Sequence, residues 1–262
     1  MPNKQPQKSV SNNKEENNIQ KRKKRSKIIK RIMKIIVVIA LVIGGIAFAL
    51  TSPLFNISSI EITGNEKFAK DKYIKLSGLE MNNNIFKFKK FTVVDSIKQN
   101  AYVESVKIKR VLPKTVEIII TERKIKFLVE MQDKSKYAYI DEDGNILEIS
   151  NEKLDYIVLK GISEESINVG EKIDETYRDR IKDVVKIQNI MQNNEVETFN
   201  TIDISSKYDY ILSFDKEAKY VYLGDLSDLE TKILYMKYIL EEQEGIPGSI
   251  YLNQSKAYFS PE

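Results

Sequence analysis

The sequence predicts an α+β protein with a single N-terminal transmembrane helix, and three observations predict it. Residues 35–60 carry no charged side chain and are strongly apolar as far as Leu50. Beyond them, short runs alternate apolar and polar residues with the period of two expected of half-buried strands. A few intervening segments instead place apolar residues at helical spacing.

Composition narrows the chemistry before any motif is considered. The chain has 262 residues, 42% of them apolar, enough to build a core in one or two domains. It has no histidine and no cysteine, which excludes imidazole bases, thiol nucleophiles, Cys/His zinc centres and disulfide frameworks. Charge is divided unevenly. Residues 1–34 hold twelve Lys/Arg against Glu15 and Glu16, a net of +10, so the overall +4 leaves −6 for residues 61–262.

The first element is the membrane span. A helix needs about 20 residues to cross the hydrocarbon core, and residues 32–52 supply them before Pro53 halts the helix. Ala47-Phe48-Ala49 has the small-x-small form of a signal-peptide cleavage site, but the leader is longer than a usual signal n-region and the apolar run longer than an h-region. Lys21, Arg22, Lys23, Lys24, Arg25, Lys27, Lys30, Arg31 and Lys34 abut the span. In isolation such a cluster would suit nucleic acid; beside a span it sets topology, with the N-terminus cytoplasmic, anionic membrane lipids as its partner, and residues 53 onward outside. The Asn-, Gln- and Lys-rich leader, residues 1–31, is expected to be a disordered cytoplasmic tail.

Residues 53–124 read as a compact β-α-α-β-β unit. Ile60 and Ile62 alternate in a first strand ended by Gly64-Asn65, and a short helix over residues 69–76 ends at Gly78. Thr92 and Asp95 are placed to open a second helix with Val94, Ile97 and Ala101 on one side. Two strands then turn at Pro113-Lys114. Residues 125–262 form a β-rich domain with strands expected over 127–131, 137–140, 145–149, 157–159, 201–204, 208–214, 220–223 and 249–259. Asp174 can cap one helix, and Ser227-x-x-Glu230 forms a capping box for another bearing Leu229, Ile233, Met236 and Leu240.

The segment from Ile57 to Arg123 resembles the polypeptide-transport-associated (POTRA) domain of the DivIB/FtsQ family of bacterial cell-division proteins. Ile60-x-Ile62-x-Gly64-Asn65, Asn84-Ile85-Phe86, Arg110-x-Leu112-Pro113 and Ile118-x-Ile120-x-Glu122-Arg123 carry the resemblance, in order and spacing. Lys124-Ile125 depart from it where the family often has a proline. The following β-rich region is similar to the family's next domain.

Several chemical readings compete with that one. Asp141 to Asn145, DEDGN, invites calcium, but glycine falls fourth where an EF-hand needs it sixth; a hairpin turn with Asp143-Gly144 at positive φ is expected. A carboxylate pair or a Ser/Lys dyad could serve a membrane-tethered cell-surface enzyme, yet no nucleophile motif or phosphate-binding glycine loop is present. The reading is therefore a non-enzymatic protein without cofactor, metal, nucleic acid or small-molecule substrate. The last strand bears one charge, Lys256, and an exposed edge needs guarding or a partner. The resemblance implies that this strand and the helix before it receive an FtsB/DivIC-type bitopic partner in complex with FtsL; a septal peptidoglycan synthase is a further candidate partner, with its point of contact left open. By position, Tyr251, Ser255, Lys256, Ala257, Tyr258 and Phe259 would supply the strand, and Tyr235 and Tyr238 the helix face.

Overall fold

The computed structural model describes residues 10–132, 135–254 and 256–262. They form two compact units: one joins the chain through Ile60 to residues 79–89 and 110–116, and the other gathers 61–78, 90–109 and 117–262.

In the first unit, α1 (Val10–Thr51) is one unbroken helix. Its segment Lys27–Thr51 has a mean hydropathy of 2.7, and its apolar side chains are exposed, as suits a lipid-facing rod. The expected disorder of the leader is corrected from Val10 onward, where the chain is helical. Lys, Arg, Glu and Gln are good helix formers, and propagation from an existing helix avoids the cost of nucleation. Arg25, Lys27, Lys30, Arg31 and Lys34 are exposed along α1; Lys21, Arg22, Lys23 and Lys24 lie on the same helix, with side chains outside the described set.

The chain leaves α1 with almost no linker. Ser52 accepts from the Leu54 N–H at 3.3 Å and opens the 3-10 turn Pro53–Phe55. Three short main-chain bonds then join residues 55–57 to 82–85: Ile85 N–H to Phe55 O at 2.8 Å, Ile57 N–H to Asn83 O at 2.9 Å, and Asn82 N–H to Ile57 O at 2.9 Å. The Asn84 side chain reaches back to the Ala49 carbonyl at 2.9 Å, inside the last turn of α1. Arg110 holds the same loop, donating to Ile85 O and Phe88 O, both at 2.7 Å.

The β-α-α-β-β order is observed as β1 (Ser59–Thr63), α2 (Lys70–Ser77), α3 (Lys90–Lys98), β2 (Val103–Val111) and β3 (Thr115–Glu122), with sheet order β1-β3-β2. Val116, Ile118 and Ile120 alternate inward on β3, and Tyr73, Val93 and Ile97 are buried from the helices. Gly78 takes the left-handed conformation at the end of α2, φ 62°. At Gly64, φ 79°, a Cβ would stand 2.1 Å from the Ile120 carbonyl oxygen, so glycine is required by both backbone and space. Helix α3 starts at Lys90, so Thr92 lies within it rather than capping it, and Val93 takes the buried position expected of Val94.

The larger sheet has nine strands in the order β12-β11-β10-β9-β8-β7-β4-β5-β6. They are β4 (Phe127–Glu130), β5 (Tyr137–Ile140), β6 (Ile146–Ser150), β7 (Ile157–Lys160), β8 (Thr201–Asp203), β9 (Tyr210–Phe214), β10 (Lys219–Gly224), β11 (Gly248–Tyr251) and β12 (Tyr258–Pro261). Two parallel pairs, β7/β8 and β10/β11, are bridged by helices α4 (Glu175–Asn193) and α5 (Leu229–Glu242), the crossover that parallel neighbours need. Ile181, Val184, Ile187 and Met191 from α4, with Leu229, Ile233, Met236 and Leu240 from α5, enter one core with Phe127, Leu159, Leu212, Val221 and Ile250.

Two further helix starts differ from expectation. Asp174 is the residue before α4, but its carboxylate accepts from Ser166 Oγ at 2.5 Å instead of capping. The Ser227 capping box does not form: α5 begins after Asp228, which sits in the left-handed region at φ 49°, while Ser227 is turned toward Asp225. The DEDGN turn is a hairpin in which Gly144 alone has positive φ, 76°. Asp141 oxygens accept from Asp143 N–H at 3.0 Å, Asn145 N–H at 2.8 Å and Asn145 Nδ2 at 2.6 Å, so the carboxylate closes the turn itself.

Candidate functional site: the carboxyl-terminal sheet edge

The strand expected over 249–259 is two strands. Gly248–Tyr251, β11, is internal, paired parallel to β10 and antiparallel to β12. The chain bends at residues 253–254, and β12 forms the edge. The turn is anchored rather than loose: the Leu252 N–H donates to Tyr222 O at 2.8 Å, Leu252 is buried, and Asn253 packs beside Gly224, where a Cβ would lie 2.7 Å from the Asn253 Cβ. Gly248 lets the hairpin close, since a Cβ there would stand 2.4 Å from the Ser260 carbonyl oxygen and 2.8 Å from the Phe259 ring.

The Glu262 N–H donates to Pro247 O at 3.2 Å, and the register runs Ser249↔Ser260 and Tyr251↔Tyr258. The alternation of an antiparallel ladder therefore turns Ser260 and Tyr258 main-chain groups toward β11 and those of Phe259 and Pro261 away from it. Phe259 offers both N–H and C=O on that side; Pro261 offers only C=O.

Side chains divide between the two sides of this edge. Val221, Ile250 and Leu252 join the core, so the alternating Tyr222 and Tyr251 fall on the opposite face. There the rings of Tyr222, Tyr251 and Tyr258 stack in a ladder, 4.8 Å between each neighbouring pair, with Tyr258 the exposed last rung. On the helix side, Lys232, Tyr235, Tyr238, Leu252, Lys256 and Ala257 line a groove of about 550 Å³. Tyr235 and Tyr238 are exposed on α5 at 55% and 60%. Lys232 is tied down: its Nζ donates to the Asp225 carbonyl at 2.9 Å and carboxylate at 3.1 Å. The Ser227 hydroxyl, then Lys232, hold the Asp225 carboxyl down at about 2, so the carboxylate stays ionised across the physiological range.

The edge thus gathers Tyr235, Tyr238, Lys256 and Ala257 at one groove and sets Tyr258 and Phe259 on the free strand. Tyr251 is enclosed between two rings, and Ser255 lies outside the described residues. Tyr222, the foot of the ladder, was not among the expected site residues; its period-two spacing from Tyr220 was the available signal.

A second polar cluster was not legible in the sequence. Glu122 accepts from the Glu66 N–H at 2.8 Å, the Lys67 N–H at 2.6 Å and the Tyr73 hydroxyl. Glu148 on β6 accepts from Tyr102 OH at 2.6 Å and Lys67 Nζ at 3.0 Å. Burial acts to raise the Glu122 carboxyl, but the Lys67 amide, Tyr73 and the Glu66 amide outweigh it and hold the group below the usual carboxylate range. Tyr102 and then Lys67 do the same for Glu148. Burial, and next the carboxylate each faces, push the Tyr73 and Tyr102 phenols well above their ordinary value. Beside this cluster the Arg123 Nε stands 3.1 Å from Asp141 Oδ2, and Arg123 Nη1 donates to Val103 O at 2.8 Å. Arg123 thus fastens the end of β3 to the β5–β6 hairpin, while Glu122 ties β3 back to residues 66–73 of its own module.

An exposed apolar helix, a three-stranded module with two helices and a nine-stranded sheet define a single-pass membrane protein of the α+β class. The FtsQ-type POTRA domain family matches residues 55–123. Cell division protein DivIB of Clostridium tetani (strain Massachusetts / E88) is 31% identical over 218 residues, covering 78% of this chain and 77% of its own. DivIB of Clostridium botulinum (strain Loch Maree / Type A3) is 30% identical over 82% of this chain and 84% of its own. Cell division protein FtsQ of Corynebacterium glutamicum (strain ATCC 13032) is 21% identical over 83% and 92%. The chain belongs to the DivIB/FtsQ family of cell-division proteins, and its role lies in the division machinery.

Proposed function

We propose that this chain is a non-enzymatic scaffold of the divisome. Residues 1–31 lie in the cytoplasm, 32–52 span the membrane, and a POTRA domain, 53–124, and a β domain, 125–262, stand outside at the septum. The β domain captures an FtsB/DivIC-type partner, together with FtsL, by adding a strand of that partner alongside β12, and so helps regulate septal peptidoglycan synthesis. The observation that carries this reading is the free side of β12, where Phe259 presents both main-chain groups beside a groove floored by α5. Strand addition satisfies such groups and gives affinity, while flanking grooves and rings give specificity. The carboxylates of the second polar cluster, Glu122 and Glu148, are occupied as acceptors, which leaves neither poised as an acid or base.

Phe259→Pro tests it, since the substitution deletes one outward N–H and no bond to β11. The full-length protein, co-purified with candidate division partners, is expected to lose capture on Phe259→Pro while retaining its far-ultraviolet circular dichroism. Capture at the wild-type level by a folded Phe259→Pro protein would reject β12 as the docking strand.

A further inference from the structure

The first unit carries a surface of a different kind. Leu54, Met81, Val111 and Leu112 are all exposed, at 50%, 51%, 47% and 56%, on three segments that the fold brings together. The end at which they gather is fixed. Residues 55–57 pair with 82–85, Asn84 clamps the last turn of α1, and the Ser58 N–H donates to Lys114 O at 2.9 Å, so the β2–β3 turn lies where the chain emerges from the span. The aromatic contacts Phe48–Phe55 and Phe55–Phe86, at 6.3 and 5.3 Å between ring centroids, continue the helix into the same surface.

Charge selects the occupant. Residues 79–89 and 110–116 contain Glu80 against Lys87, Lys89, Arg110 and Lys114, a net of +3, whereas residues 61–262 as a whole carry −6. Lys87 and Lys114 are exposed beside the apolar residues. Apolar side chains with lysines at their margin, continuous with the end of a membrane-spanning helix, match the boundary between acyl chains and anionic headgroups. We propose that this rim rests on the outer leaflet and binds anionic lipid, with Leu54, Met81, Val111 and Leu112 inserted at headgroup depth and Lys87 and Lys114 on lipid phosphates.

The sequence makes the test direct, because it contains no cysteine and one introduced thiol carries the only label. Full-length Leu112→Cys and, separately, Met81→Cys are labelled with a polarity-sensitive fluorophore and reconstituted without other proteins into nanodiscs of phosphatidylglycerol and phosphatidylcholine. Tyr208→Cys, exposed in the second unit, is the reference. The two rim labels are expected to shift to the blue and to be quenched by headgroup nitroxide lipids, and the Tyr208→Cys label to do neither. Adding Lys87→Glu and Lys114→Glu is expected to reduce rim quenching in the anionic discs and to leave it unchanged in pure phosphatidylcholine. Rim labels indistinguishable from the Tyr208→Cys label would overturn the contact and leave the surface to a protein neighbour. Quenching indifferent to lipid charge and to charge reversal would overturn the anionic selectivity.

Discussion

The two ends of the nine-stranded sheet are built on opposite principles. At β6 the chain covers its own edge: the Ile146 N–H and C=O are taken by Glu171 O and the Gly170 N–H, both at 2.9 Å, and Asn145 bridges Lys172. Glu148 on the same strand is gripped by Tyr102 and Lys67. At β12 the outward main-chain groups of Phe259 meet no such cover among the described residues, and the strand is exposed at Tyr258, Ser260 and Pro261. Pro261 blunts only the far end. A fold that closes one edge with a loop and an ion pair has the means to close both. The contrast supports the proposal that β12 is the docking edge, since the outward groups of Ile146 on β6 are paired within the chain and those of Phe259 are not paired among the described residues.

Four measurements would break or sharpen this contrast. The largest effect is expected from Ile146→Ala, which empties a fully buried site at the covered edge and should cost about 2–5 kcal/mol in urea unfolding. An effect below about 1 kcal/mol would mean that the covered edge carries little of the stability. Next, Gly248→Ala drives a Cβ toward the Ser260 carbonyl and should cost ~1–3 kcal/mol. Its mark is loss of amide-exchange protection at Tyr258 and Ser260 with β6 protection retained. Tyr258→Ala removes the end of a stacked ladder and should cost about 0.5–1.5 kcal/mol, while weakening partner capture out of proportion to that loss.

The smallest effect concerns acid. Glu122 and Glu148 titrate below their ordinary value of 4.5 when folded, so the stability they give is present above that value and is lost as pH falls through the depressed folded values. Both are partly open to solvent, which moderates the effect. Exchange protection at β6 should therefore decline between pH 5 and about 3, and Glu148→Gln should flatten that decline, with β12 unaffected. Equal acid sensitivity at both edges would remove the asymmetry.

Much of the architecture was legible because it is written in local patterns. Ile60/Ile62, Val116/Ile118/Ile120 and the α5 stripe of Leu229, Ile233, Met236 and Leu240 follow the period of their element, and each is buried as that period requires, Ile60 only in part. The features that escaped depend on distant partners. The break after Tyr251 has no glycine or proline to announce it; it is set by Leu252 entering the core and Asn253 meeting Gly224. Ser227 and Asp174 looked like caps, but their hydroxyl and carboxylate found nearer partners in Asp225 and Ser166. The Glu122 and Glu148 cluster joins residues as far as 81 positions apart, which no local rule can foresee. At the candidate site one strand was expected over 249–259 and the structure has two: Tyr258 and Phe259 belong to the edge, Tyr251 to the strand behind it.

The join between α1 and the Pro53–Phe55 turn has a mechanical meaning. Only Ser52 separates the two, and Asn84 grips the helix from the other side. Such a joint does not swivel. Rotation or tilt of the rod is therefore passed directly to the Pro53–Phe55 turn and to the 82–85 loop fastened to it.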